Sequence, residues 1–291
     1  MKKNKIKAII FALSFLIYLF ISYFPGLDDL KSTSQDSLEL TDALKVHFLD
    51  VGQADSILIE LPNKETMLID AGNNADDKFV VNYIKKLHYD KIDYVVGTHP
   101  HEDHIGGLDT VINTFEIGNV YMPKVEHTTK TFEDVLLSIK NKNLKIKAAK
   151  AGVNIINNDN LKIDIIAPVN ESYEDLNNYS AVVKISYKNN SFLFMGDAEK
   201  LSEDEIMANV RADVIKIGHH GSHTSTSEEF LKKASPTYAI ISAGKDNEYG
   251  HPHEETINLL NKSNIEIYRT DLSGTIVIMS DGYNINVEEF L

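Results

Sequence analysis

The sequence predicts an α/β fold: two β-sheets face to face with helices on both outer faces, an αββα four-layer sandwich with pseudo-duplicated halves, preceded by one N-terminal hydrophobic helix. Three observations predict it. Beyond residue 44, apolar runs of strand length alternate with stretches of helical periodicity. That alternation recurs at an offset of roughly 120–127 residues, as expected of a duplicated α/β unit. Two such halves, each a sheet with helices on one face, bury their bare sheet faces by packing them together.

The elements follow in chain order. The basic stretch MKKNKIK precedes AIIFALSFLIYLFISYF, residues 8–24, which carries no charge. As a helix it extends about 26 Å, just short of a hydrocarbon core of about 30 Å. Apolar on every face, residues 1–24 read as a signal anchor or signal peptide rather than a buried helix. No small-residue cleavage site follows, and the basic flank places the remainder outside the cytoplasm: membrane-anchored, or secreted if the segment is cleaved. Residues 25–43 are a polar linker, and the folded domain spans 44–291. Strands are expected at 46–49, 55–61, 66–70, 92–97, 120–122, 144–147, 161–166, 181–187, 191–195, 214–217, 238–242, 265–269 and 275–279. Helices are expected at 77–87, 108–115, 131–142, 202–208, 228–233 and 254–262.

The repeat pairs these elements. TMLIDAG (66–72) matches SFLFMGDA (191–198), and DYVVGTH (93–99) matches DVIKIGH (213–219). VYMP (120–123) matches AIIS (239–242), and LKIKAAKAG (144–152) matches IEIYRTDLSG (265–274). The strand ends bearing Asp70, His99, Asp197 and His219 should therefore meet along one edge.

Composition narrows the chemistry. The chain has 291 residues, 43% of them apolar, enough for a real core. Zero cysteines exclude disulfides, thiolate metal sites and a cysteine nucleophile. Net charge is −14, or −18 for residues 25–291 once the four N-terminal lysines are set aside. Such a surface repels polyanions unless a basic strip or metal ions intervene.

The strongest motif is THPHEDHIGG, residues 98–107. His99 and His101 alternate in a loop leaving a strand and can grip one ion, while Asp103 and His104 turn toward a second position. Imidazole with carboxylate suits Zn²⁺, Fe or Mn²⁺ better than Ca²⁺ or Mg²⁺. Gly106 and Gly107 allow tight approach of the loop to the following helix. The repeat aligns His219 with His99, which favours His219 as the ligand with His220 facing substrate; the exchanged assignment is the alternative. Lys216, Ser222 and Ser225 are candidates to hold an anionic group. His251 is a candidate proton donor or phosphate-oxygen partner, and His253 has either that role or one at a helix start. His47, His88 and His127 have no evident partners.

This H-x-H-x-D-H loop after an apolar strand resembles the metallo-β-lactamase superfamily. VHFLDVGQADSILIE (46–60), LIDAG (68–72), NNYSAVVKI (177–185), FMGDAE (194–199), KIGHHGSHTS (216–225) and SAGKDNEYGHPH (242–253) resemble the metallo-β-lactamase-like domain of ComEC competence proteins. The resemblance implies two divalent metal ions, Zn²⁺ first and Mn²⁺ as alternative. It implies ligation by His99, His101, Asp103, His104 and His219, with Asp197 bridging and Asp70 behind a ligand histidine. It implies hydrolysis by a metal-activated hydroxide with Asp103, His220 and His251 in attendance. One departure stands out: where many members supply a third histidine to the first metal, this chain has Asn178 and Ser180, which then face metal or substrate. The expected substrate is a phosphodiester, DNA or a cell-wall polymer, the latter including phosphocholine-type diesters, met outside the cytoplasm. β-Lactam hydrolysis is disfavoured, and a non-catalytic surface binding module is the reading from another class. No obligate protein partner is implied.

Overall fold

The computed structural model describes residues 42–290. The expected membrane segment over 1–24 and nearly all of the expected linker lie outside them. No helix among the described residues is long and apolar enough to cross a membrane.

The strands are β1 (Leu44–Phe48), β2 (Ser56–Glu60), β3 (Thr66–Ala71), β4 (Lys91–Val96), β5 (Glu116–Met122), β6 (Ile146–Ala148), β7 (Val153–Asn157) and β8 (Leu161–Ala167). They continue as β9 (Val182–Tyr187), β10 (Asn190–Phe194), β11 (Val214–Lys216), β12 (Tyr238–Ile241), β13 (Glu266–Arg269), β14 (Thr275–Ser280) and β15 (Ile285–Phe290). One sheet has the order β15-β14-β1-β2-β3-β4-β5-β6 and the other β13-β12-β11-β10-β9-β8-β7. In each half, antiparallel pairing leads into three parallel steps: β1-β2-β3 then β4, β5, β6; β8-β9-β10 then β11, β12, β13. The repeated sequence segments occupy equivalent strands of this pattern, so the internal duplication is topological as well as sequential. The last two strands, β14 and β15, leave the second half and return to pair beside β1.

Three apolar clusters define four layers. One consists of strand residues from both sheets, including Phe48, Ile57, Ile69, Ile163, Ile185, Phe192 and Phe194, and fills the space between them. A second joins Leu58, Leu68, Val95 and Val120 to the helices Asp77–Lys86, Leu108–Thr114 and Lys130–Asn141. The third joins Leu193, Ile215, Ala239 and Ile241 to Glu228–Ala234 and Glu254–Lys262. Strands whose residues point alternately to helix and to opposing sheet are apolar on both faces, which is why they read as near-continuous apolar runs.

The sequence missed β7 and β15 and the short helices Glu102–Ile105 and Thr270–Ser273. Both missed strands lie at sheet edges. β7 is interrupted by Asn154 and Asn157, and β15 carries Glu288 and Glu289, the charged chemistry that keeps an edge from pairing further. The expected helix 202–208 runs instead Lys200–Glu205, because Ile206 turns extended (φ −66°, ψ 110°) and enters the third cluster.

All the parallel strands point their C-terminal ends to one edge of the sandwich, and the loops leaving β4, β10, β11 and β12 gather there. The glycine pair makes a close approach to the segment after β3 rather than to the following helix: a Cβ on Gly106 would lie 2.3 Å from the backbone of Asn73 and Asn74, and one on Gly107 2.4 Å from the Ala71 carbonyl. Gly106→Ala is therefore expected to lower the unfolding free energy by about 1–3 kcal/mol, read as a lower urea midpoint at unchanged slope.

Candidate metal centre

The strand β4 ends at Val96, and the chain bends at His99 and Pro100 before an extended His101 leads into the helical turn Glu102–Ile105. That turn swings Asp103 and His104 back over the strand ends. From the opposite sheet, the loop after β10 brings Asp197, and the loop after β11 brings His219 and His220. The last two sit consecutively in the left-handed region (φ 48° and 52°), a costly conformation for non-glycine residues. Its effect is that two sequential side chains turn toward the same carboxylate.

Asp197 is 1% exposed and lies between two sets of imidazoles. Its Oδ1 is 3.2 Å from His104 Nε2 and 3.7 Å from His220 Nε2. Its Oδ2 is 3.8 Å from His99 Nε2 and 3.7 Å from His219 Nε2. His101 Nδ1 joins the second set, 3.0 Å from His99 Nε2. Asp103 Oδ2 joins the first, 3.3 Å from His220 Nε2 and 3.8 Å from His104 Nε2.

The far nitrogen of three rings is already engaged. His104 Nδ1 donates to Asp70 Oδ2 at 2.9 Å, and His220 Nδ1 to the Ser242 carbonyl at 3.0 Å. Thr98 Oγ1 donates to Asp70 Oδ2 and accepts from His99 Nδ1. Each bond fixes a tautomer whose Nε2 lone pair faces inward. Meanwhile Asp197 Oδ1, His104 Nε2 and His220 Nε2 are buried with no hydrogen-bond partner. Buried polar atoms are seldom left so. A convergent set of lone pairs fits a cation, and Asp103, His104, Asp197 and His220 lie close enough to share one.

Electrostatics agree. Burial opposes charge on His104, yet Asp197, Asp103 and Asp70 outweigh it and hold its imidazolium well above the ordinary histidine range. His220 is likewise opposed by burial but pushed up to about 10 by Asp197 and Asp55. Burial would raise Asp197; His104 and His220 hold it well below the usual carboxylate range. His99 goes the other way, pushed well down by burial and by neighbouring His104. Without cations, protons on His104 and His220 offset the buried carboxylates, so bound cations must displace them.

Several expectations need correction. His220, expected on the substrate side, is 1% exposed and belongs to the inner cluster, whereas His219 is partly open to the pocket. Lys216 is no anion site: it is fully buried, with Nζ 2.7 Å from Asp55 Oδ2 and donating to the Ile217 carbonyl. Asn178 points away, its Oδ1 accepting from Ser202 N. Ser180 Oγ accepts from Asp197 N at 3.0 Å and so positions that residue without reaching the pocket. Ser222 and Ser225 are buried, the former bonded to Thr224. His253 stands at the N-cap of Glu254–Lys262 without a side-chain capping bond, and its Nδ1 accepts from His223 N. His47, for which no partner was evident, bonds Glu60 and Tyr83.

Asn177, Asp55 and Gln53 escaped the sequence reading. Asn177, not Asn178, lines the pocket, because the turn Leu176–Tyr179 rotates one amide inward. Asp55 is buried 3.4 Å from His220 Nδ1, where Lys216 outweighs burial and holds its carboxyl well below the usual range. Its signal was an acid set immediately before the apolar strand SILIE. The open side of the cluster is a cavity of about 340 Å³ lined by Gln53, His101, Asp103, Asn177, His219 and His251, among others.

This fold and cluster define a class: residues 49–245 match the metallo-beta-lactamase superfamily, and the chain belongs to it. Such a His/Asp cluster on this fold suggests a binuclear metal site. Within the class the chain is similar to ComEC-like proteins. It is 31% identical to ComE operon protein 3 of Bacillus subtilis over 80% of the chain and 32% of that protein. It is 29% identical to Recombination protein 2 of Haemophilus influenzae over 80% of the chain and 28% of that protein. The chain thus spans about a third of these relatives. Among solved structures, the metallo-beta-lactamase fold protein YhfI from Bacillus subtilis superposes with TM-score 0.52 at 14% identity, covering 82% of this chain and 100% of that one. CmlA, a diiron beta-hydroxylase from Streptomyces venezuelae, superposes with TM-score 0.53 at 13% identity, covering 85% of this chain and 54% of that one. Both likenesses concern the fold alone.

Two outcomes follow. Loading the metal-free chain at pH 7.5 should release about two protons per molecule, measured by pH-stat; no release would contradict the charge balance described. Asp70→Asn should weaken metal affinity about 10–100-fold in a chelator competition, with the far-ultraviolet spectrum unchanged.

Proposed function

We propose that the chain is a metal-dependent phosphodiester hydrolase acting outside the cytoplasm. The observation that carries this reading is the division of Asp197: each oxygen faces its own pair of imidazoles. His99, His101, Asp197 and His219 would hold one cation, and Asp103, His104, Asp197 and His220 the other. His219 then stands in for the third histidine that the NNYS segment does not supply, and an imidazole-rich set of this kind favours Zn²⁺. When bound, two divalent cations so held would supply activated water at neutral pH and would take up charge on phosphoryl oxygens.

The remaining residues serve the substrate. Besides its place among the ligands, Asp103 has a side chain 32% exposed and is the carboxylate of the cluster most open to the cavity, where it would orient the attacking water. His251 is pushed down to about 4 by burial and by His219 and His220, and is therefore neutral at pH 7. Gln53 Oε1 accepts from Gly244 N, so its amide nitrogen donates to His251 Nδ1. The ring proton then resides on Nε2, where it hydrogen-bonds a phosphoryl or leaving oxygen rather than delivering a stored proton. Asn177, tethered by its backbone to the Asp175 carboxylate, offers an amide to the same group.

His101→Ala is expected to abolish hydrolysis of bis(p-nitrophenyl) phosphate by the zinc-loaded chain at an unchanged melting profile. Retained activity would refute the metal role. His219→Ala and His220→Ala should each lower the bound metal by about one ion per chain, measured by elemental analysis. A wild-type chain that folds but takes up no metal would favour a binding module instead.

A further inference from the structure

A second cavity opens on the same edge of the sandwich. It measures about 380 Å³ and is lined by Lys124, Lys150, Pro168, Asn170, Glu171 and Tyr179 with a run of alanines. Its walls come from the C-terminal ends of β5, β6 and β8. Strand β8 runs parallel to β10, since each is antiparallel to β9, so the cavity lies on the edge that carries Asp197. Its rim is tied across the sandwich by the hydrogen bond from Ala151 N to the Pro168 carbonyl.

One segment walls both cavities, and a second runs from this one toward the metal pocket. The single turn Leu176–Tyr179 gives Asn177 to the metal pocket and Tyr179 to this one. The loop after β5 gives Lys124 to this cavity, and three residues on it sets the His127 ring 6.3 Å from that of His101. Lys124 and Lys150 are exposed, and among the described residues neither ammonium forms an ion pair or a hydrogen bond with a side chain. In a chain with 43 acidic and 29 basic residues, the lining of this cavity is net basic. Glu171 is the one carboxylate in the lining.

We infer that this cavity is an anion subsite in which Lys124 and Lys150 hold a phosphate neighbouring the scissile one, so that the substrate is a phosphodiester chain rather than a single diester. The inference rests on the phosphodiesterase reading and adds the substrate class. An ammonium beside a phosphate oxygen makes a charge-assisted hydrogen bond, and a small diester has no second phosphate to place there. Lysines held apart from carboxylates need not break an ion pair to bind it.

The test compares the full chain with Lys124→Gln/Lys150→Gln on bis(p-nitrophenyl) phosphate, on a ten-residue oligothymidylate and on poly(glycerol phosphate). The double variant should keep kcat/KM on the single diester and lose about ten-fold or more on one of the polymers, and the polymer that responds names the source of the phosphate. Its salt dependence on that polymer, as log affinity against log salt, should become shallower by about 0.7 for each phosphate no longer held. Glu171→Gln should act in the opposite sense and tighten polymer binding. Equal loss on all three substrates, or no loss on either polymer, would overturn the subsite. Fluorescence anisotropy of the labelled polymers with the metal-free chain separates this result from the hydrolytic reading. Lysine-dependent binding without any hydrolysis would keep the subsite and remove the enzyme assignment; lysine-independent binding would remove the subsite.

Discussion

The structure turns on one buried carboxylate. Asp197 sits at 1% exposure with imidazoles on both of its oxygens, in surroundings where an isolated charge is very costly. Nothing hydrophobic could replace it without leaving four histidines facing an empty space. The site is resolved by positive charge, whether protons on His104 and His220 or a pair of cations. Much of the local architecture follows from holding that charge in place: the Ser180 hydroxyl on its amide, Asp70 behind His104, the Ser242 carbonyl behind His220, and the left-handed turn at 219–220. These are costs in folding terms, and the three apolar layers offset them.

Asp55 and Lys216 show how the two sheets are keyed to one another at that point. Asp55 leads into β2 in one sheet and Lys216 ends β11 in the other, and their contact is fully buried. A buried ion pair is weak evidence of stability, because desolvation cancels much of the attraction. Its position says more: Asp55 also lies beside His220 Nδ1, so the pair fixes the distance from one sheet's loop to the other sheet's histidine. Both halves of the duplication thus have a carboxylate behind a histidine, Asp70 for His104 and Asp55 for His220, although the two carboxylates come from adjacent strands of the same sheet.

Much of this was legible in the sequence. The duplicated strand pattern gave the two-sheet topology because apolar runs bounded by turns survive as strands when both faces are buried. The H-x-H-x-D-H spacing located the cluster because it sets four ligand-type side chains at the end of one apolar strand. What was not legible has definite physical causes. Edge strands such as β7 bury too little to leave an apolar run. The choice between His219 and His220 could not be read from periodicity, because consecutive left-handed residues break the alternation on which it depends. Lys216 looked like an anion ligand because a lone lysine near a motif carries no sign of its partner, and Asp55 is 161 residues away. Asn177 and Asn178 differ by one position in a single helical turn, and only the turn's rotation decides which amide enters the pocket.

The scaffold itself leaves the reaction open. A diiron hydroxylase shares this fold at comparable similarity, so the sandwich does not by itself say what is transformed. The discrimination has to come from groups around the cluster, and here these are unevenly arranged. On one side stand neutral His251, its Gln53 brace and the exposed ring of Tyr249, 70% accessible and stacked on His251. On the other stand Asn177, Tyr179 and two unpaired lysines. Net charge is therefore a poor guide to the ligand of this protein. A field summed over the whole surface is strongly negative, yet within a few ångströms of the cluster the imidazoles, the Asn177 amide and the carboxylates of Asp103 and Asp197 set the local field, and at that range they outweigh distant screened charges.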